Sequence, residues 1–255
     1  MVTIKTEDQI FLMRESNRIV AEVLRLIGSY IRPGIQTAEI DRIVEEYIRS
    51  QGGEPAFKGY APDGAEPYPA SACVSIDEVV VHGIPGRRTL KEGEIVAVDV
   101  GVRKNGYYGD GARSFPVGEI SEEKARLLRV TEESLYKGIA QAVEGNSLGD
   151  ISSAVQRHVE AEGYSVVRDL VGHGIGTALH EPPAVPNFGK PRTGITLMEG
   201  MTLAIEPMVN AGKYQVEVLN DGWTVVTRDR KPSAHFEHTI VVRKQAAEIL
   251  TSVQN

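Results

Sequence analysis

The chain is poor in three things, and each shortage excludes something. It has one cysteine, Cys73, in 255 residues, so no internal disulfide can form, and a lone thiol that reads as a small buried hydrophobe fits a reducing compartment. It has no block of lysines or arginines, and 28 basic residues face 35 acidic ones for a net charge of −7. Nucleic acid and anionic membranes both require concentrated positive charge, so neither is expected as a partner. No apolar run approaches the roughly 18 residues of a membrane helix, and the opening MVTIKTEDQI has no basic stretch followed by an apolar core. The expected location is the cytoplasm. With 41% hydrophobic residues at this length, a sizeable core can be buried.

What the chain does have is a phrase written twice. TLKEGEIVAVD begins at Thr89 and TLMEGMTLAIE at Thr196, which brings Asp99 and Glu206 into register. The surroundings repeat too. Apolar residues at Ile10, Met13, Val20, Leu24, Ile27 and Ile31 keep helical spacing until Pro33-Gly34, and Thr37 is expected to cap a second helix that ends at Gly52-Gly53. In the second half, Ser121 opens a helix expected to reach about Val143, and another runs from about Leu148 to Glu162. Gly34 and Gly145, Ile40 and Ile151, Val44 and Val155, and Gly52 and Gly163 all stand at one constant separation, and the triplet HGI occurs at His82 and at His173. The whole chain, 1–255, therefore reads as a single α/β (α+β) domain with an internal duplication, roughly 8–117 and 121–243, arranged about a pseudo-two-fold axis. Strands are expected at 95–102, 107–117, 202–209, 222–227 and 238–242, with Pro/Gly-rich loops at 60–70 and 182–194.

The chemistry begins in VAVDVGVRKNGYYGDGARSF. Asn105-Gly106 between two strand-like runs predicts a two-residue hairpin turn, which sets Lys104 opposite Tyr107, Gly101 opposite Asp110 and Asp99 opposite Ala112. Side chains alternate along strands, so Asp99 and Asp110 share a face as diagonal neighbours. The letters around Asp99 are apolar, as they are around Glu206 in LAIEPMV and beside Glu237 in HFEHTIVV. Buried carboxylates must be paired, protonated or metal-bound, and no lysine or arginine in the matching half offers itself as partner. Four carboxylates with one imidazole, for which His173 among its glycines is the candidate, suit Mn²⁺, Fe²⁺ or Co²⁺ in the manner of two-metal hydrolases. His82 and His180 then remain free to bind substrate or carry protons. His158 and His238 read as structural. The run Gly172, Gly174, Gly176 is not the dinucleotide fingerprint.

With these residues in view, the sequence resembles the type I methionine aminopeptidases. The segments that carry the likeness are VHGIP at 81–85, the DVG of Asp99 with the GD of Asp110, GHGIG at 172–176, IEP around Glu206, NDGW at 220–223 and EHT at 237–239. The resemblance implies the pita-bread fold, with two pseudo-two-fold related halves and helices packed outside a curved antiparallel sheet. It implies five metal ligands, Asp99, Asp110, His173, Glu206 and Glu237, of which Asp110 and Glu237 bridge two divalent ions (Mn²⁺, Fe²⁺ or Co²⁺, with Zn²⁺ an option). A hydroxide held between the ions attacks the carbonyl of the first residue, Glu206 shuttles protons, His180 touches that carbonyl and His82 the amide nitrogen beyond it. A methionine pocket is implied at Tyr60, Tyr68, Cys73, Leu179 and Trp223, and a monovalent cation near Asp77, Val79 and Ser233. Leu179 stands where many bacterial members have phenylalanine. The implied partners are nascent polypeptides that begin with Met and a small second residue; the protein is expected to act as a monomer, and any transient ribosome contact to use the body of the domain. Proline-directed peptidases of the same fold, and a pita-bread protein that binds without catalysis, are the rival readings.

Overall fold

The computed structural model describes residues 2–62, 64 and 66–252. Two helices open the chain. α1 (Glu7–Gly28) starts at a capping box, in which the Thr6 hydroxyl accepts from Gln9 N and the Gln9 side chain accepts from Thr6 N. Its Ile10, Met13, Val20, Leu24 and Ile27 are buried as the spacing requires. The helix ends before Ile31 because Pro33 disfavours helical geometry at Arg32, and Ser29 closes the last turn on the Leu26 carbonyl. α2 (Thr37–Ser50) buries Ile40, Ile43, Val44 and Ile48 against α1 and the first sheet. The expected Thr37 cap is corrected: Gln36 is the capping position, and the Thr37 hydroxyl bonds the backbone of Gly86 in both directions. In the second half, α3 (Glu122–Ile139) is capped by Ser121 as expected but stops short of Val143, while α4 (Leu148–Ala161) keeps its expected span.

Among the described residues fifteen strands pair with one another, each pair antiparallel. Along one edge of β4 (Ile95–Lys104) lie β1 (Glu54–Pro55) and β2 (Cys73–Ile76), and along the other runs β5 (Tyr107–Pro116). β3 (Val79–Val81) joins β11 (Val216–Val218) and β12 (Val225–Thr227) in the order β11-β12-β3. β6 (Ser165–Val166), β10 (Met208–Asn210) and β13 (Ser233–His235) form β13-β10-β6. The largest sheet, β15-β14-β9-β7-β8, combines β7 (Gly172–Gly174), β8 (Glu181–Val185), β9 (Thr202–Ile205), β14 (His238–Val241) and β15 (Glu248–Ile249).

The β4–β5 hairpin has the predicted register, with Lys104 opposite Tyr107, Gly101 opposite Asp110 and Asp99 opposite Ala112. Asn105 and Gly106 both take positive φ, as this turn demands. Three expectations change. The strand expected over 202–209 is two strands, because Pro207 has no N–H and the chain bulges at Glu206-Pro207. The strand expected from Gly222 begins at Val225, since the Asp221 carboxylate gathers Trp223 N and the Thr224 backbone and hydroxyl into a turn. The loop expected at 182–194 begins with β8, whose prolines are tolerated because it is an edge strand.

Helices cover the outside: α1 lies across β4 and β5, and α3 packs with α4 and against β13 and β9. Each fully buried Ile, Val or Leu of these faces stabilises by about 1.5–3 kcal/mol relative to exposure. The two halves meet along β5. Thr239 bonds both the N–H and the C=O of Asp110 through its hydroxyl, Glu237 N–H donates to the Ala112 carbonyl at 2.9 Å, and the Ser114 hydroxyl bonds both the C=O and the N–H of His235. Positions 110, 112 and 114 thus face 239, 237 and 235. This seam puts all the acids on one side of the molecule's middle.

Candidate metal centre and its pocket

Asp99 and Asp110 leave adjacent strands toward one cavity of about 340 Å³. Glu206 enters it from the bulge after β9, Glu237 from the break between β13 and β14, and His173 from β7. His173 bonds the Gly174 carbonyl through Nδ1 at 2.9 Å, which turns Nε2 to the acids, 3.6 Å from Glu206 Oε1 and 3.8 Å from Asp110 Oδ2. A proton on Nδ1 leaves the Nε2 lone pair free as a ligand. Burial holds the imidazole neutral, its pKa lowered to about 3.

The carboxylates are in the opposite difficulty. Burial, followed by their mutual repulsion, raises Asp110, Glu206 and Glu237 well above the ordinary range, and burial raises Asp99 to about 7. Among the described residues no lysine or arginine lines the cavity. Asp99 Oδ1 and Glu237 Oε1 are buried with no hydrogen-bond partner, a costly condition for charged oxygens. Asp110, His173 and Glu237 each offer one ligand atom within 4.8 Å of the others. Orphaned oxygens, absent counter-charge and an imidazole with its lone pair turned inward are what a divalent cation would satisfy. The residues fit the metal.

The predicted substrate-binding residues line the same cavity. His82 follows β3 with a φ of 59, a strained value for a side chain of its size. The glycine after it is obligatory, since a Cβ on Gly83 would lie 2.4 Å from the Val74 carbonyl oxygen. Burial, then the neighbouring His180, lowers His82 to about 4. His180 bonds the Tyr60 hydroxyl through Nδ1 at 2.7 Å, and its ring stands edge-on to His173 at 4.3 Å; burial lowers its pKa too. Both imidazoles are neutral at ordinary pH. The apolar side is built from Tyr60, Tyr68, Cys73, Leu179 and Trp223. Tyr68 donates to the Gly83 carbonyl at 3.0 Å and meets Trp223 edge to face, and the Trp223 indole donates to the Glu66 carbonyl. Burial pushes the Cys73 thiol up, so it is a packing group.

His158 bonds Glu133, and His238 bonds Thr251 and Tyr136 away from this cavity; both are structural, as expected. Asp77 and Val79 line a second cavity of about 200 Å³, where the Asp77 carboxylate meets the Lys124 ammonium at 2.6 Å and its carbonyl accepts from Ser233 N. Sequence reasoning missed Phe57 and Pro62 in the wall, and above all His235. That imidazole is 2% exposed, its Nε2 is unpartnered, and it lies 3.9 Å from Glu206 Oε2. The available signal was its position two residues before Glu237, the spacing of one strand face.

The chain matches metallopeptidase family M24 over residues 12–244. It is 52% identical over 254 residues to the methionine aminopeptidase of Clostridium perfringens, with 100% of each chain covered. The crystal structure of methionine aminopeptidase from Thermotoga maritima superposes with a TM-score of 0.95 at 46% identity, over 99% of this chain and 100% of that one. Prolidase from Pyrococcus furiosus, at 21% identity and a TM-score of 0.78 over 99% of this chain and 66% of its own, shares the fold. The chain belongs to metallopeptidase family M24, the metal-dependent hydrolases with the pita-bread fold. Full-length identity places it with the methionine aminopeptidases of that family.

Proposed function

We propose that this protein hydrolyses the first peptide bond of nascent chains and peptides that begin with methionine, preferring a small second residue. The observation that carries the reading is the Asp110, His173, Glu237 cluster opening directly onto the apolar wall of Tyr68, Cys73, Leu179 and Trp223. Divalent ions held by Asp99, Asp110, His173, Glu206 and Glu237 would supply Lewis acidity and lower the pKa of the attacking water. The oxygen-rich donor set favours Mn²⁺, Fe²⁺ or Co²⁺, with Zn²⁺ admitted.

The protein's own groups do the rest. The apolar wall takes the methionine side chain, whose thioether packs against aromatic rings. Asp99 receives the free α-amine, which sets the cut at the first bond. Neutral His180 donates through Nε2 to the scissile carbonyl and steadies charge as it develops on oxygen. Neutral His82 bonds the next amide. Glu206 accepts the proton of the attacking water and returns it to the leaving amine. The substrate amine binds as its free base, so activity falls in acid. A monovalent cation near Asp77, Val79 and Ser233 stays part of this reading, beside the Lys124 ammonium that meets the Asp77 carboxylate. The protein works as a single copy in the cytoplasm, with transient contact to the ribosome. No described helix is long and apolar enough to cross a membrane.

The test is metal-depleted protein reloaded with Mn²⁺, Fe²⁺ or Co²⁺ and offered Met-Ala-Ser and Ala-Pro-Ser. Release of methionine alone is expected. Cleavage ahead of proline would assign a prolidase-like specificity, and silence with every ion would leave a binding protein.

A further inference from the structure

We infer that Lys5 and Glu181 are positioning residues for His180, and that the segment ahead of α1 is a strap holding the 177–181 loop against the cavity. The inference rests on the role proposed above for His180. Lys5 and Glu181 are 176 positions apart, yet Nζ lies 2.6 Å from Oε2, and the two side chains are only 5% and 11% exposed. The Thr3 hydroxyl donates to the same oxygen at 2.8 Å, and Lys5 N–H is tied to the Gly200 carbonyl at 2.9 Å. The other oxygen of Glu181 accepts from Thr177 N at 2.7 Å and Ala178 N at 3.2 Å. One carboxylate therefore neutralises a buried ammonium and gathers the loop backbone that leads into Leu179 and His180.

The last glycine of GHGIG serves the strap. A Cβ on Gly176 would lie 2.3 Å from Lys5 Cε and 2.7 Å from Glu181 Oε1, so a side chain there would push the pair from its place. His180 immediately precedes Glu181 and meets Tyr60 through Nδ1. A buried ion pair is a poor source of stability, whereas one that also binds two loop amides fixes an orientation, and small displacements at a reacting centre cost rate steeply.

The experiment uses the full chain with Lys5→Met, and with Glu181→Gln as the variant that keeps an oxygen for Thr177 and Ala178 should the first not fold. Turnover of Met-Ala-Ser by the Mn²⁺-loaded variants, Mn²⁺ stoichiometry, and histidine Cε1–H resonances of the metal-free protein are measured. The expected result is a fall in kcat of about ten- to a hundredfold, larger than any rise in KM, with stoichiometry unchanged. The His180 resonance moves while that of His82 stays. Val159→Ala, which opens a cavity in the core beside α4, is the control for lost stability and should leave kcat alone. An unmoved His180 resonance with unchanged kcat, or a loss no greater than in Val159→Ala at equal thermal midpoint, overturns the strap. His180→Ala at full turnover would instead overturn the role of His180, and the metal-free resonance would still decide whether Lys5 places it.

Discussion

The two hairpins that carry the acids are built differently. β4 and β5 pair without interruption from Ile95 with Pro116 to Lys104 with Tyr107, and Asp99 and Asp110 sit inside that ladder. Their counterparts do not: β9 pairs with β14 and β10 with β13, and Glu206-Pro207 and Phe236-Glu237 lie in the gap between. A continuous ladder fixes short aspartates at two-residue spacing on one face. A gap frees backbone, so a glutamate can swing in from outside a strand, and the longer side chain covers the extra distance. The freed backbone is then tied down elsewhere, Glu206 O by the Asn187 amide at 2.9 Å and Glu237 N by Ala112 O. The regular half supplies a rigid wall, and the broken half supplies reach.

The comparison is sharpest at Asp110. Asp110→Ala should reduce turnover by about a thousandfold or more while circular dichroism stays native, because the ladder needs only backbone at that position and the change removes a repelled, buried carboxylate. Retention of normal activity would reject it as a shared ligand. His82→Ala should slow turnover by about a hundredfold with metal content intact, measured by steady-state kinetics and elemental analysis; lost metal would place His82 in the centre itself.

How far this was readable in sequence follows the same division. The regular half was legible because Asn105-Gly106 fixes a register from which every partner can be counted. The acids were legible because each stands in or beside an apolar run. β2 left no trace, since all four residues from Cys73 to Ile76 are buried and show no alternation, and β3 and β7 are too short for a period to appear. The bulge at Glu206 was hidden inside an apolar run of strand character, although Pro207 marked it. Thr37 looked like a cap because it is the right residue type one position late. His235 was overlooked because the eye stops at Glu237.

The seam between the halves gives a smaller effect. Ser114→Ala removes both hydroxyl bonds to the buried His235 backbone and should cost about 1–3 kcal/mol, read as a lower denaturation midpoint with little change in the β4–β5 ladder. An unchanged midpoint would show that Glu237 N–H to Ala112 and the Thr239 hydroxyl suffice to join the halves.

Smaller still is a dependence on pH. Carboxyls with raised folded values bind protons that the unfolded chain has released, so their contribution to stability is present at low pH and is lost as pH rises toward those values. The buried His82, His173 and His235, lowered to about 4, 3 and 3, act the other way: their contribution is present above the unfolded value of 6.5 and is lost as pH falls below it. Above pH 6.5 the histidines are silent and the acids act alone. The thermal midpoint of metal-free protein should therefore fall as pH rises from about 6.5 to about 8.5, and saturating Mn²⁺ should abolish the slope. A slope that persists with Mn²⁺ would place the responsible groups outside the centre.

Anomalous diffraction from crystals soaked in Mn²⁺ tests the central claim most directly. Two peaks enclosed by Asp99, Asp110, His173, Glu206 and Glu237, with the rigid wall and the reaching glutamates both in contact, are what the account predicts. Peaks that touch only the β4–β5 aspartates, or none in the cavity at all, would contradict it.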